Sequence, residues 1–149
     1  MRTFTHRSEL FVARPRSEVF PFFADARNLE ELTPDWLSFT VLTPDPIPMA
    51  VGTTIDYRLA WHGIPLRWRS EIADWEPPHR FIDRQLRGPY RLWHHEHRFE
   101  EVEGGTNVID EVEYAVWGGA LAVNLGVRRD VERIFAYRSE RLAEIFGSG

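Results

Sequence analysis

Trp93, His95, His97 and Phe99 follow one another at intervals of two in the run GPYRLWHHEHRF. On a β-strand, alternate side chains share a face, so these four point the same way, and Asp110, Val112 and Tyr114 of VIDEVEY reach that face from the next strand. With the turn between them centred near Glu103–Gly104, His97 lies opposite Asp110 and His95 opposite Val112. A carboxylate beside an imidazole fixes its tautomer and raises its pKa, which suits general acid–base work near neutrality. The same pairing also satisfies two buried groups without any substrate. His95, His97 and Asp110 are therefore candidates for proton transfer, for hydrogen bonding to a ligand, or for a structural network. A metal needs three or four converging ligands. His95 and His97 offer two and Asp110 a third, but His94 points the other way and there is no second histidine cluster, so no metal is expected. Arg138 is the remaining candidate: it falls on an apolar helical stripe, where its side chain can snorkel to water, pair with Asp110, Asp83 or Asp74, or hold an anionic head group.

Other chemistries are excluded by what the chain lacks. All 18 basic residues are arginine, so neither a Schiff-base lysine nor a phosphate-loop lysine exists. There is no cysteine, which removes disulfides, thiolate catalysis and cysteine-bound zinc. No Gly-x-Ser-x-Gly elbow and no glycine-rich phosphate loop occurs, and no cofactor is expected. With 23 acidic residues and a net charge of −5, the chain has no basic excess for a nucleic-acid phosphate track. The first fifteen residues alternate polar positions where a signal peptide needs an apolar run, and no stretch of 18 apolar residues appears, so a soluble, cytoplasmic protein without stable membrane insertion is expected. The 149 residues, 43% of them hydrophobic, fit one domain spanning 1–149.

Period and turn residues divide the rest of the chain into strands and helices. Residues 3–12 alternate as a strand; Ser17 caps a helix whose stripe is Val19, Phe20 and Phe23; a second short helix covers 27–32; and 36–42 returns to strand composition. Residues 43–52 hold three prolines and form a loop. From Thr53 a meander begins, in which His62-Gly63 turns a hairpin that sets Trp61 against Ile64, Leu59 against Leu66 and Tyr57 against Trp68. Pro77-Pro78, Gly88-Pro89 and Gly104-Gly105 divide the remaining strands. After Gly118-Gly119 the period becomes helical to Phe146, with Val131, Ile134, Phe135, Leu142, Ile145 and Phe146 on the stripe. The fold class is α+β: a curved antiparallel sheet of about seven strands gripping one long C-terminal helix, with two short helices between strands 1 and 2.

That order resembles the helix-grip fold of the START-like or SRPBCC superfamily. The segments Asn28-Leu29-Glu30, Leu32-Thr33-Pro34, Gly63-Ile64-Pro65-Leu66-Arg67-Trp68, Trp75-Glu76-Pro77-Pro78, Gly88-Pro89-Tyr90, the W-x-H-x-H-x-F run from Trp93 to Phe99, Gly104-Gly105-Thr106 and Ile134-Phe135-x-Tyr137-Arg138 look like its cyclase/dehydrase-like bacterial branch. Trp117 departs from the pattern by standing where a proline is expected before Gly-Gly, and residues 120–126 are blander than usual. The resemblance implies a cavity between sheet and last helix for a small hydrophobic ligand, whether aromatic, polyketide-like or lipid-like. Its expected wall is Tyr57, Leu59, Trp61, Leu66, Trp68, Phe81, Trp93, Tyr114 and Phe135, with His95, His97, Asp110 and Arg138 as polar groups and Ile47 and Met49 at the entrance. Aromatics that fill a dry core are the alternative. So are a cyclase or dehydratase in which His95 or His97 shuttles protons, and a protein-interaction module. Oligomeric state is not readable from these features.

Overall fold

A computed structural model describes residues 1–147. Seven antiparallel strands run β1 (Phe4–Val12), β2 (Thr40–Val41), β3 (Thr54–Trp61), β4 (Ile64–Glu76), β5 (Arg80–Arg87), β6 (Leu92–Val102) and β7 (Gly105–Ala115), in the spatial order β1-β7-β6-β5-β4-β3-β2. Helix α1 (Arg16–Phe23) and the short α2 (Leu29–Leu32) lie between β1 and β2. The chain ends in α3 (Gly119–Ala122), a π-helical turn over Val123–Val127, and α4 (Arg128–Phe146), which together make one continuous helical rod. This is the helix-grip arrangement.

The sheet curls because β4 is long and interrupted. Its register with β5 shifts between Arg69 and Ser70 and again between Ile72 and Asp74; extra residues of this kind bend a strand and deepen its twist. The β3–β4 hairpin has the expected pairs, Trp61 with Ile64, Leu59 with Leu66 and Tyr57 with Trp68. His62 and Gly63 both take positive φ, which is the backbone twist that two-residue hairpins require. Buried side chains form two apolar clusters on the concave face. Phe20, Phe23, Ile55, Phe81, Phe99 and Leu142 belong to one, and Trp93, Val112, Tyr114, Val131 and Phe135 to the other.

Three expectations change. Residues 36–42 do not form a full strand: Asp35–Leu37 is a 3-10 turn, Ser38 is left-handed, and only Thr40–Val41 pairs with β3. Pro34 and the left-handed Ser38 confine the extended stretch to its last residues. Helix α1 starts at Arg16 after Pro15, whose fixed φ of −66° sets the entry, so Ser17 is inside the helix and caps nothing. The last helix carries a π-turn that no three- or four-residue spacing announced.

Gly105 closes the β1–β7 pairing where a side chain has no room. A Cβ there would lie 2.1 Å from the backbone oxygen of Val12, while one at Gly63 (φ +81°) would meet nothing. Gly105→Ala is therefore expected to cost about 1–3 kcal/mol by forcing β1 and β7 apart, against about 1–2 kcal/mol of pure backbone strain for Gly63→Ala. Urea denaturation with hydrogen exchange on β1 separates the two: loosened β1 amides belong only to Gly105→Ala, and unchanged protection there would refute the steric account.

Candidate functional site

Between the two apolar clusters lies a buried polar network. Asp83 on β5 is opposite His95 on β6, and His97 on β6 is opposite Asp110 on β7, as the turn positions predict for the β6–β7 pair. The short hydrogen bonds nevertheless run diagonally. His97 Nε2 lies 2.5 Å from Asp83 Oδ2, and His95 Nε2 lies 2.8 Å from Asp110 Oδ1. His97 Nδ1 keeps only a 3.5 Å approach to its cross-strand neighbour Asp110. Twist between strands brings such diagonal neighbours within reach of long or planar side chains.

Helix α4 completes the network from above. Arg138 donates from Nε to Asp110 Oδ2 and from Nη2 to Asp110 Oδ1, both at 3.2 Å. The side chains of this pair are 7% and 6% exposed, so the ions are withdrawn from water together. Arg138 Nη2 is also 3.2 Å from His97 Nδ1. A guanidinium can only donate, so His97 Nδ1 must accept and its proton sits on Nε2, pointing at Asp83. His95 places its proton on Nε2 to serve the Asp110 carboxylate. With the ring neutral, His95 Nδ1 is left without a hydrogen bond, 3.7 Å from Asp83 Oδ2. The only buried side-chain polar atom lacking a partner among the described residues is Arg98 Nε, so His95 Nδ1 is in touch with open space. The rings stack in sequence, Phe81 on His97 at 4.1 Å and His97 on His95 at 3.6 Å.

Charge states follow from these contacts. Burial works against the Asp110 carboxylate, but the Arg138 guanidinium and His95 outweigh it and hold its pKa well below the usual range. Asp83 is lowered likewise, burial being outweighed by His95, His97 and Arg138. Burial, reinforced by neighbouring His95 and by Arg138, pushes His97 down to about 4.

The network forms the floor of a cavity of about 370 Å³ between the sheet and the last helix. Tyr57, Leu59, Trp61, Leu66, Trp68 and Trp93 stand on its wall, with Asp83, His95, His97 and Arg138 as polar groups. Asp110 lies behind the histidines and does not reach the wall. Phe81 belongs to the apolar cluster under a separate void of about 20 Å³, room for a single water at most. Tyr114 and Phe135 are in the second cluster, away from the wall. Ile47 and Met49 pack against the first cluster; Met49 lines the smaller void, and neither lines the larger cavity. Sequence reasoning missed Ser70, Ile134 and Asp130 on the wall. Asp130 accepts from Trp61 Nε1 at 2.9 Å and lies 3.0 Å from His62 Nε2, tying the β3–β4 hairpin to α4. Its signal was available, since 130, 134 and 138 share a helical face.

Asp83, His95 and His97 each bring one ligand-type atom within 4.8 Å of the others, so the third metal-capable group is Asp83 and not Asp110. Arg138 works against such use: it occupies the lone pair at His97 Nδ1, turns that ring's proton toward Asp83, and places a fixed positive charge beside any incoming cation.

Removing Arg138 strands a buried carboxylate. Arg138→Met is expected to cost about 3–5 kcal/mol at pH 7, and Asp110→Asn in the same chain to recover part of it; a cost no larger than a surface substitution would show the pair to be dispensable. His97 adds a pH dependence. Folded, it stays neutral to about pH 4; unfolded, it protonates below about 6.5. The unfolded state therefore binds the extra proton between those values, and stability falls as pH drops from about 6.5 to about 4, by at most about 1.4 kcal/mol per unit. Below about 3.9 the depressed carboxylates add loss of the same sign. His97→Phe should flatten the upper part of this dependence in urea titrations, and an unaltered slope would remove His97 as its source.

Comparison with known proteins places this geometry. The family profile described as polyketide cyclase / dehydrase and lipid transport matches residues 12–135. Among solved structures, protein CV1439 from Chromobacterium violaceum superposes with a TM-score of 0.76 at 15% identity, covering 97% of this chain and 98% of that one. The Zhui aromatase/cyclase from a Streptomyces species gives 0.70 at 16%, covering 95% and 92%. Ara h 8.0201 gives 0.66 at 14%, covering 96% and 99%. At these identities the structures establish the shared fold alone. No curated protein matches the chain by sequence. Since the profile takes in most of the chain, including His95, His97, Asp110 and the start of α4, the chain belongs to the polyketide cyclase / dehydrase and lipid transport family.

Proposed function

We propose that this chain binds a small, largely apolar molecule carrying at least one hydroxyl group, of aromatic or polyketide-like type, in the cavity between sheet and last helix. One observation carries the reading: within an aromatic wall, His95 Nδ1 makes no hydrogen bond and lies 3.7 Å from Asp83 Oδ2, so a neutral imidazole presents an unfilled acceptor there. A ligand hydroxyl directed there supplies the missing donor, while the rings take the apolar body. The volume of about 370 Å³ lies within the range of small-molecule sites. A role in hydrophobic ligand binding or cyclisation is in keeping with the family.

A second reading uses the same atom. His95 Nδ1 is the network's one uncommitted base, and a proton taken from a polyketide-like chain folded against the wall would start a cyclase-type reaction, with proximity supplying much of the rate. The two readings differ only in whether the proton crosses.

Quenching of tryptophan fluorescence by 1-naphthol, against naphthalene as the hydroxyl-free control, tests the binding reading. Saturable quenching by 1-naphthol is expected, weakened about 3–10-fold by His95→Phe, as for one lost hydrogen bond; naphthalene should change less than twofold. Leu66→Trp, which fills the cavity from its wall, should abolish both while the fold persists by circular dichroism. Quenching that never saturates, or that survives Leu66→Trp, would sink the cavity as the site. Turnover of a poly-β-ketone thioester analogue by wild type and not by His95→Gln would move the assignment to the enzyme.

A further inference from the structure

The wall segment that closes the cavity presents its other side to solvent in an unusual way. Trp117, Leu121 and Leu125 are 69%, 70% and 79% exposed and, apart from the N-terminal Met1, are the most exposed large apolar side chains among the described residues. Leu121 and Leu125 stand one turn apart on the helical rod and Trp117 precedes it at the Gly118-Gly119 turn, while Ala122 and Val127 of the same segment line the cavity and Val123 is buried. Trp117 and Trp61 both stand on the cavity wall and are both partly exposed, which locates the mouth between the β3–β4 hairpin tip and the Gly118-Gly119 turn.

The charges along this segment run against the rest of the chain. In a chain of net charge −5, no acidic residue occurs between Glu113 and Asp130. Asp130 is buried and engaged by Trp61 and His62. Arg128 and Arg129 are exposed at the end of the stripe, and the Arg91 guanidinium lies 4.5 Å over the Trp117 ring.

We propose that residues 117–129 form a docking patch for an anionic lipid surface, set at the cavity mouth so that an apolar ligand passes between bilayer and cavity without crossing water. Leucines at the acyl boundary, a tryptophan at head-group level and arginines on lipid phosphates are the chemistry of a helix lying in a membrane interface. No helix among the described residues is long and apolar enough to span a membrane, so the contact is peripheral. A second copy fits this surface poorly: a two-fold contact through the stripe would crowd Arg91, Arg128 and Arg129 of one copy with those of the other. The passage of ligand rests on the cavity reading; the docking patch does not.

The test is co-sedimentation of the whole chain with vesicles of phosphatidylcholine alone and of phosphatidylcholine mixed with phosphatidylglycerol. Binding is expected only to the anionic vesicles, and to vanish near 1 M salt, where the screening length is about 3 Å. Arg128→Gln and Arg129→Gln should each weaken it about 5-fold, and Leu121→Glu with Leu125→Glu about 10-fold or more, with circular dichroism and 1-naphthol quenching unchanged in every variant. No binding to anionic vesicles, or equal binding by the double glutamate variant, overturns the patch. So does a dimer that dissociates in the glutamate variant while vesicles go unbound. Vesicle binding without any 1-naphthol quenching would uphold the patch and defeat the cavity reading alone.

Discussion

The buried pairing of Asp110 with Arg138 is the constraint on which the rest of the interior depends. It joins the middle of β7 to the middle of α4 by two parallel hydrogen bonds, in the gap between the two apolar clusters. Such a pair adds little net stability, because taking two ions out of water offsets most of their attraction. Its effect is positional. A guanidinium that must meet a carboxylate squarely fixes the rotation of the helix over the sheet, and packing against Phe23, whose ring lies 5.3 Å from the guanidinium carbon, fixes its height. The same contact sets the imidazoles: Arg138 takes the lone pair of His97, Asp110 takes the proton of His95, and every later property of the site follows from those two assignments.

The cavity persists for a related reason. A curved sheet and a helix held apart by a polar network leave room beside that network, and only flexible side chains would fill it. The wall instead carries rings that brace one another. Trp68 meets Trp93 and Tyr90 edge-on at 5.4 and 5.6 Å, and Tyr90 packs on Trp93 at 4.8 Å. Trp68 is held further by its Nε1 hydrogen bond to Ser70. Rings satisfied by their neighbours gain little from collapsing inward, so the space stays available to a ligand.

Much of this was legible in the chain because period-two alternation and glycine turns act locally. The hairpin pairs at Trp61–Ile64 and the His97–Asp110 register follow from counting residues around a turn. What counting could not give is which atoms bond. Register names the residue opposite, yet sheet twist sends each imidazole to a diagonal carboxylate, and this exchanged the expected partner of His97 from Asp110 to Asp83. Wall membership was likewise only half readable: Phe81 and Trp93 are each the buried second residue of a strand, yet Phe81 sits level with His97 at the smaller void while Trp93, four residues from His97 along β6, lines the cavity. The π-turn at 123–127 left no trace, because a single widened turn does not alter an apolar pattern already made of alanine, valine and leucine.

Proton accounting ranks what the proposed site can do first. Arg138 donates to Asp110 and His97, His97 donates to Asp83, and His95 donates to Asp110, so no proton in the network is spare. With His95 neutral, two carboxylates against one guanidinium leave a net negative charge beside the cavity, and a proton arriving at His95 Nδ1 would cancel it. The arrangement is therefore built to receive a donor before it can give one. A molecule without a hydroxyl or an acidic C–H leaves His95 Nδ1 without a donor and is held by its apolar body alone. In a reaction, a proton taken up at His95 Nδ1 would be the one available for a departing oxygen.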